Sequence, residues 1–480
     1  MARFANSVYF TPTAGGTSTW TLSALVTGYM TPALAGAADG TYTYRAESTD
    51  LSQWEIGIGT LSSSGTVFSR DTVYYNSSNS GVATGQSGAG TKINFTVAPQ
   101  VGLIQMVHDT LCPDQATAWT YLQKAQARAN IDALKYNYII NGAMMVSQEN
   151  GTTALTGAGS YPVDQFLLDF ATSGTLSIAQ VASATPGGSP NRLRVTVTAA
   201  DASVAAGDIV YLSTKIEGLR VADLLLGSAS PKTFTVQFGV KAPAGTYCVV
   251  ASNGGAGGTR SYVAEYVISG GEANTDVVKS VTIAGDTTGT WPKDNTAGLV
   301  LRWGLMAGST FQQAAGSWGT VNAIGSSSQF NLMGTNGNVF ELFDVSMTEG
   351  SAAPVFQVPD FTTELLKCQR YWEKSYDYAT AVAATVTPGS ETSTLVMSSA
   401  TVSQGGSTVS FKVPKRATPT VTAYSPTTGA SGKMRDVQNV VDVNANIDYV
   451  GQRSCRIYSS AITASSVLAL IVHWKSDARL

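Results

Sequence analysis

The sequence predicts a mainly β protein, with several β-sandwich or jelly-roll modules in series joined by short helices. Three observations lead there. Apolar and polar residues alternate with a period of two over most of the chain, which puts one face of each strand in a core and the other outward. Forty-eight glycines punctuate the 480 residues, often in clusters that break strands. Only two stretches carry helix signals. A chain of this length exceeds one core and implies three or four domains. Charged residues make up 13% and hydrophobic ones 43%. The polar surface must therefore come from Ser, Thr, Asn, Gln and Gly, which suits tight-turned sheets or surfaces hidden against sister subunits.

Residues 1–107 read as short strands in a small sandwich or barrel. Val8, Phe10, Trp20, Leu22, Tyr42, Tyr44, Trp54, Ile56, Ile58 and Phe68 alternate with polar or small residues, between breaks such as Gly15-Gly16 and Asp39-Gly40. Residues 108–137 hold a helix from Asp114 to Leu134, with Pro113 before it and Asp114 as N-cap. Its apolar face is thin, Trp119 and Leu122 among Ala118, Ala125 and Ala129, so it needs a partner; copies of itself around an axis would serve. Residues 138–359 return to strands, at Leu193–Val197, Phe234–Val240 and Phe340–Val345, with no long helix, as in a jelly roll. Residues 360–480 open with a helix over Phe361–Trp372, capped by Asp360 or Thr362, with Leu365, Cys368 and Trp372 on one face. Strands follow at Thr392–Met397, Ser410–Val413, Val421–Tyr424 and Leu468–Trp474. No repeat of 20–50 residues is present, which argues against a β-helix or propeller.

Composition also excludes functions. Net charge is −3 with no basic run, so a nucleic-acid partner is not expected. No stretch of 18 uninterrupted apolar residues exists to insert in a membrane, and the first residues lack the apolar core of a signal peptide, so assembly in a cytoplasm is expected. Cys112, Cys248, Cys368 and Cys455 form no CxxC and read as free thiols. Of the two histidines, His108 could be paired with Cys112 only artificially, and His473, between Val472 and Trp474, reads as a satisfied core or interface residue. No zinc or EF-hand pattern is present, and Gly254–Gly258 lacks the Lys-Ser/Thr of a phosphate loop and reads as turns. No catalytic residue, cofactor or metal is expected, and the chain reads as non-enzymatic. Paired carboxylates are the one enzymatic route left open, with Asp164, Asp169, Glu217, Glu265 and Glu341 as scattered candidates.

Several motifs occur in a telling order. Gly40–Arg45, Trp54–Thr60 and Thr66–Arg70 resemble the N-terminal module of phage tail-fibre and receptor-binding proteins. Lys124–Ile131 is similar to the QARANIG segment of tail fibres, with Asp132 in place of the last Gly. Ile139–Ala143, Tyr161–Phe166, Phe234–Phe238, Phe343–Gly350 and Glu364–Tyr371 resemble phage tail proteins with a carbohydrate-binding-module-like jelly roll, which an ING start, a final strand and a CQRYY segment bracket. Pro414–Val421 and Asp477–Leu480 resemble the endings of such proteins, with Lys415 where Met is usual. The resemblance implies a structural virion protein, located on the tail or head surface. It implies a homotrimer, elongated, anchored to other virion proteins through residues 1–107 and contacting host-surface polysaccharide. A capsid decoration or head fibre and a polysaccharide depolymerase are the alternatives.

Sugars are held by aromatic faces, with polar side chains fixing the hydroxyls. Tyr262, Tyr266, Trp291, Trp303 and Trp318 lie in the central module with Arg260, Asn295 and Gln312. Trp303, in a Leu-rich strand, reads as core. Trp291 beside Pro292 and Trp318 between Ser317 and Gly319 read as loop residues and, with Tyr262 and Tyr266, are the candidate glycan contacts. Ordinary packing is the competing reading for each.

Overall fold

The computed structural model of the protein describes residues 8–78, 91–104, 137–396, 404–460, 462 and 467–480. The expected helix at Asp114–Leu134, its role in oligomerisation, His108 and Cys112 lie outside the described residues. The chain is mainly β and divides into two compact units, Met1–Ile131 and Asp132–Leu480.

The first unit is a barrel. Its strands are β1 (Tyr9–Pro12), β2 (Trp20–Leu25), β3 (Gly40–Glu47), β4 (Trp54–Ser62), β5 (Val67–Phe68), β6 (Thr72–Asn76) and β7 (Gln100–Leu103). They run in the order β3-β7-β1-β2-β5-β4, and β4 pairs back onto β3, so the ring closes; β6 continues β5 along the same edge of β4. Closure removes the exposed edges that an open sheet would present. Here one expectation fails. The buried face of β4 carries Glu55, Gly57, Gly59 and Leu61, while Trp54, Ile56 and Ile58 are only half buried on the other face. Trp20, Tyr42, Tyr44 and Phe68 already fill the interior, and a Cβ at Gly59 would overlap the Phe68 ring. Glu55 points inward to a fully buried Arg70. Arg70 also donates to Gly16 O at 3.0 Å and Ile93 O at 2.9 Å, with Trp20 4.5 Å from its guanidinium. Glu55 accepts in addition from Tyr44 Oη and, at 2.7 Å, from Ile93 N. Both buried charges are thus paired and hydrogen-bonded, the condition for tolerating them in a core.

The second unit begins with a two-sheet sandwich. Its strands are β8 (Ser160–Val163), β9 (Phe166–Ala171), β10 (Thr175–Ala182), β11 (Asn191–Ala199), β12 (Ile209–Glu217), β13 (Phe234–Lys241), β14 (Gly245–Ser252), β15 (Ser261–Ile268), β16 (Val277–Ile283), β17 (Ala297–Ala307), β18 (Trp318–Gly319) and β19 (Val339–Glu349). One sheet runs β10-β11-β19-β13-β16 and the other β18-β15-β14-β17-β12-β9-β8, antiparallel throughout. Between them Phe238 meets Trp303 and Tyr266 edge-on at 5.9 and 4.9 Å, within a core that includes Leu212, Leu301 and Phe340. The glycines at 254, 255, 257 and 258 all have positive φ and form the expected turns.

The remaining strands are β20 (Trp372–Lys374), β21 (Glu391–Val396), β22 (Gly405–Ser410), β23 (Thr420–Tyr424), β24 (Lys433–Asp436), β25 (Val441–Asn444), β26 (Asn446–Asp448), β27 (Ser454–Ser459) and β28 (Val467–Asp477). β28 pairs with β20, β21, β23 and β24; β22, β27 and β26 form a second small sheet. The helix covers Phe361–Gln369, capped by Asp360, whose carboxylate accepts from Thr363 N at 2.8 Å. Trp372 is not on the helix face but begins β20, because the chain turns after Gln369 to pair with β28. The strand expected at Ser410–Val413 ends at Ser410, where Glu373 takes the Lys412 amide at 3.0 Å and interrupts the ladder.

The Ile139–Ala143 motif is a joint within this unit. Asn141, fully buried at φ 60°, donates through Nδ2 to Val146 O and Asp164 O, both at 2.8 Å, and accepts from Val146 N at 2.9 Å. Its own amide donates to Glu364 on the helix. Gly142 lies so close to Val345 O that any Cβ would overlap it. On the same helix Cys368 packs with Ile140, Val146 and Tyr371, and Arg370, just past the helix end, makes a two-point ion pair with Glu217 at 2.7 and 2.8 Å.

Candidate functional site

The alternation of β12, β17 and β9 builds a polar strip on the outer face of the seven-stranded sheet. Inward, these strands bury Val210, Leu212, Ile216, Leu299, Leu301, Trp303, Phe166 and Leu168. Outward, register aligns Asp169, Tyr211, Gly304 and Cys248 in one cross-strand row, and Leu167, Ser213, Arg302 and Val250 in the next. Lys215, two residues beyond Ser213 on the same face, follows. The Cys248 end is roofed: Cys248, Val250 and Val263 pack against Val321 and Ala323, and a Cβ at Gly304 would overlap Ile324 O. Toward β9 the roof ends. Tyr211, Asp169, Leu167, Arg302 and Lys215 remain half buried there, bounded by Tyr161, Arg479 and Leu480.

The strip has defined electrostatics. Tyr211 Oη donates to Asp169 Oδ2 at 2.9 Å, and burial followed by that carboxylate pushes the phenol up to about 12. The Arg302 guanidinium lies 5.8 Å from the Tyr211 ring centroid and donates to Ala323 O at 3.4 Å. Lys215 Nζ donates to Leu480 O at 2.7 Å; burial, then Arg302 and Arg416, lower its pKa. An aromatic ring, a hydroxyl, a carboxylate and two cations on one flat face can bind a polyhydroxylated ligand, with oxygen atoms as acceptors and hydroxyls as donors.

Three of the four aromatic residues singled out from the sequence come together elsewhere. Tyr262 on β15 and Trp318 on β18 are cross-strand partners with rings 5.5 Å apart, and Trp291 meets Trp318 edge-on at 5.3 Å. The indoles donate to Ala284 O (Trp318, 2.8 Å) and Thr288 O (Trp291, 3.0 Å), so the trio ties the β15–β18 edge to the chain leaving β16. Trp291 is 7% exposed; Trp318 and Tyr262 keep part of their surface. Tyr266 is apart, 6% exposed in the core between Phe238 and Tyr247. Arg260 closes the corner by a two-point ion pair with Asp286 at 2.7 and 2.8 Å. The signal for the Tyr211 strip was in the sequence, as polar residues at every second position of Ile209–Glu217, but alternation does not say which outward face stays uncovered.

Of the scattered carboxylates, Glu217 and Glu341 are held by arginines, at 2.7 Å by Arg370 and at 2.8 Å by Arg192. Asp164 is buried, accepts from Gln148 N at 2.9 Å, and burial raises it to about 6. Asp169 belongs to the strip, and Glu265 is exposed. His473 is fully buried, with Nδ1 2.8 Å from Ser375 Oγ and Nε2 3.0 Å from Val386 O, stacked on Tyr376. Burial lowers its pKa. Cys248, Cys368 and Cys455 are free and buried.

No family model matches the chain, and no curated protein matches it in sequence. Among solved structures, the enzymatically active domain of tailspike protein 4 from bacteriophage CBA120 is similar at 10% identity over 45% of this chain and 21% of that one, with a TM-score of 0.24. A family 11 carbohydrate-binding module from Clostridium thermocellum, in complex with a mixed-linked tetrasaccharide, matches at 11% identity over 41% of this chain and 96% of its own, TM-score 0.22. The CBM22-1 and GH10 modules of endo-1,4-β-D-xylanase 10B from Clostridium thermocellum match at 11% identity over 43% and 30%, TM-score 0.22. The expectation of a non-enzymatic chain is overturned by this set, which includes a glycoside hydrolase and an enzymatically active tailspike domain.

Proposed function

We propose that this chain is a structural component of a bacteriophage particle, of tail-fibre or tailspike kind, which recognises host-surface glycan through the Tyr211 strip of its jelly roll. The observation that carries the reading is the strip itself, where a sheet face roofed at one end leaves Tyr211, Asp169, Arg302 and Lys215 accessible together. The ordered tail-protein motifs support the particle assignment, with residues 1–107 as the attachment module and assembly as a homotrimer. Repetition of a weak sugar site in such an assembly would raise avidity without new contacts.

The test is binding of the full-length protein to host lipopolysaccharide and capsular polysaccharide, by calorimetry, for the wild type and Tyr211→Ala. Binding that the substitution weakens at least tenfold is the expected result. Absence of binding, or binding that Tyr211→Ala leaves unchanged, overturns the reading. Reducing-end release in the same mixtures would identify depolymerisation, and electron microscopy of particles with gold-labelled antibody would separate tail from head.

A further inference from the structure

Among the described residues several buried or partly buried arginines are paired with acids. Arg70 pairs with Glu55, Arg192 with Glu341 at 2.8 Å, Arg260 with Asp286 at 2.7 Å, Arg370 with Glu217 at 2.7 Å and Arg479 with Glu149 at 2.7 Å. Arg302 departs from this pattern. It rises from the middle of the sheet, between Ser213 and Val250 in register, and among the described residues its guanidinium's one hydrogen bond is the 3.4 Å contact to Ala323 O. No carboxylate of the described residues forms an ion pair with it.

Its surroundings add positive charge. Lys215 spends its one bond on Leu480 O, and Arg416 donates to Ala478 O and Asn295 O, both at 2.8 Å, and to Arg479 O at 3.1 Å. Peptide carbonyls satisfy Arg416 without neutralising it. The acid on the strip, Asp169, already accepts from Tyr211. In a chain of net charge −3 this is a local excess of cations on a half-buried face. A guanidinium presents five N–H donors in a planar fork that fits a carboxylate or phosphate at two points, and a partly desolvated cation gains most from such a partner.

We propose that the strip selects an acidic saccharide, one whose carboxylate or phosphate group sits against Arg302 with Lys215 as the second cation, while Tyr211 and Asp169 meet its hydroxyls. This rests on the glycan-binding reading of the same face. Specificity then comes from a group that neutral sugars lack.

The experiment compares three sets of capsular polysaccharide fragments, uronate-bearing, phosphate-bearing and neutral, against the full chain by calorimetry at 50 and 300 mM salt. Acidic fragments are expected to bind at least tenfold more tightly than neutral ones, with the preference shrinking at the higher salt. The uronate and phosphate arms identify which anion is taken. Arg302→Gln and Lys215→Gln, each checked for an unchanged melting temperature, are expected to remove the preference for acidic over neutral fragments. Two variants keep the test valid should one fail to fold. Neutral fragments binding as well as acidic ones, with Tyr211→Ala still abolishing both, overturns the inference and leaves the glycan reading standing. No binding in any arm overturns both.

Discussion

Replacement of Asn141 by Ala tests the central claim about how the second unit is held together. The side chain makes three hydrogen bonds in a fully buried site, to Val146 N, Val146 O and Asp164 O. Truncation strands the Val146 amide and the Asp164 carbonyl, since Val146 O keeps its bond from Asp164 N at 2.9 Å, and each unpaired buried group costs about 1–3 kcal/mol. Ala at φ 60° adds about 1 kcal/mol of backbone strain that Asn and Gly largely escape. Allowing for partial relaxation, Asn141→Ala should destabilise the unit by about 4 kcal/mol, and Asn141→Gly by about 1 kcal/mol less. In urea, followed by near-ultraviolet circular dichroism, the first change should lower the midpoint by about 1 M for a slope near 4 kcal/mol per molar. A loss below about 1 kcal/mol for Ala, or a Gly variant no more stable than the Ala one, would refute the reasoning.

Further expectations follow from other buried groups. Asp164 has a folded pKa of about 6, above its unfolded value, so the folded state holds the proton more tightly and this residue's contribution to stability falls as pH rises from about 4 to about 6. Asp164→Asn should remove that dependence, and the wild type should lose about 3 kcal/mol relative to the variant between pH 4 and 7 in denaturation curves. In the barrel, Arg70→Met should cost about 3–5 kcal/mol by leaving Glu55 buried without its counter-charge, whereas the double change Glu55→Leu/Arg70→Met should cost less; equal losses would mean the charges are not coupled. Trp318→Ala removes the ring contacts to Trp291 and Tyr262 and the bond to Ala284 O. It should cost about 2–3 kcal/mol in thermal denaturation and leave glycan affinity intact, and loss of affinity would move the site to that edge.

Strand runs and turns were legible in the sequence because they depend on near neighbours. Period-two alternation in Phe234–Val240 and Phe340–Val345, four glycines between 254 and 258, and Asp360 ahead of a helix each encode a local geometry. The aromatic residues at 262, 291 and 318 could be named as a group, though not that two of their indoles are bonded to backbone. What only the tertiary structure decided are matters of mutual placement. Trp54, Ile56 and Ile58 face away from the barrel interior because aromatic rings from other strands occupy it, and a buried Glu55–Arg70 pair needs the inner face. Tyr211, Asp169 and Arg302, separated by up to 133 positions, share a face through strand register, and the segment near Ile324 determines how much of it stays open. Alternation along a strand fixes which side chains point together; which of the two faces is covered depends on segments far away in the chain.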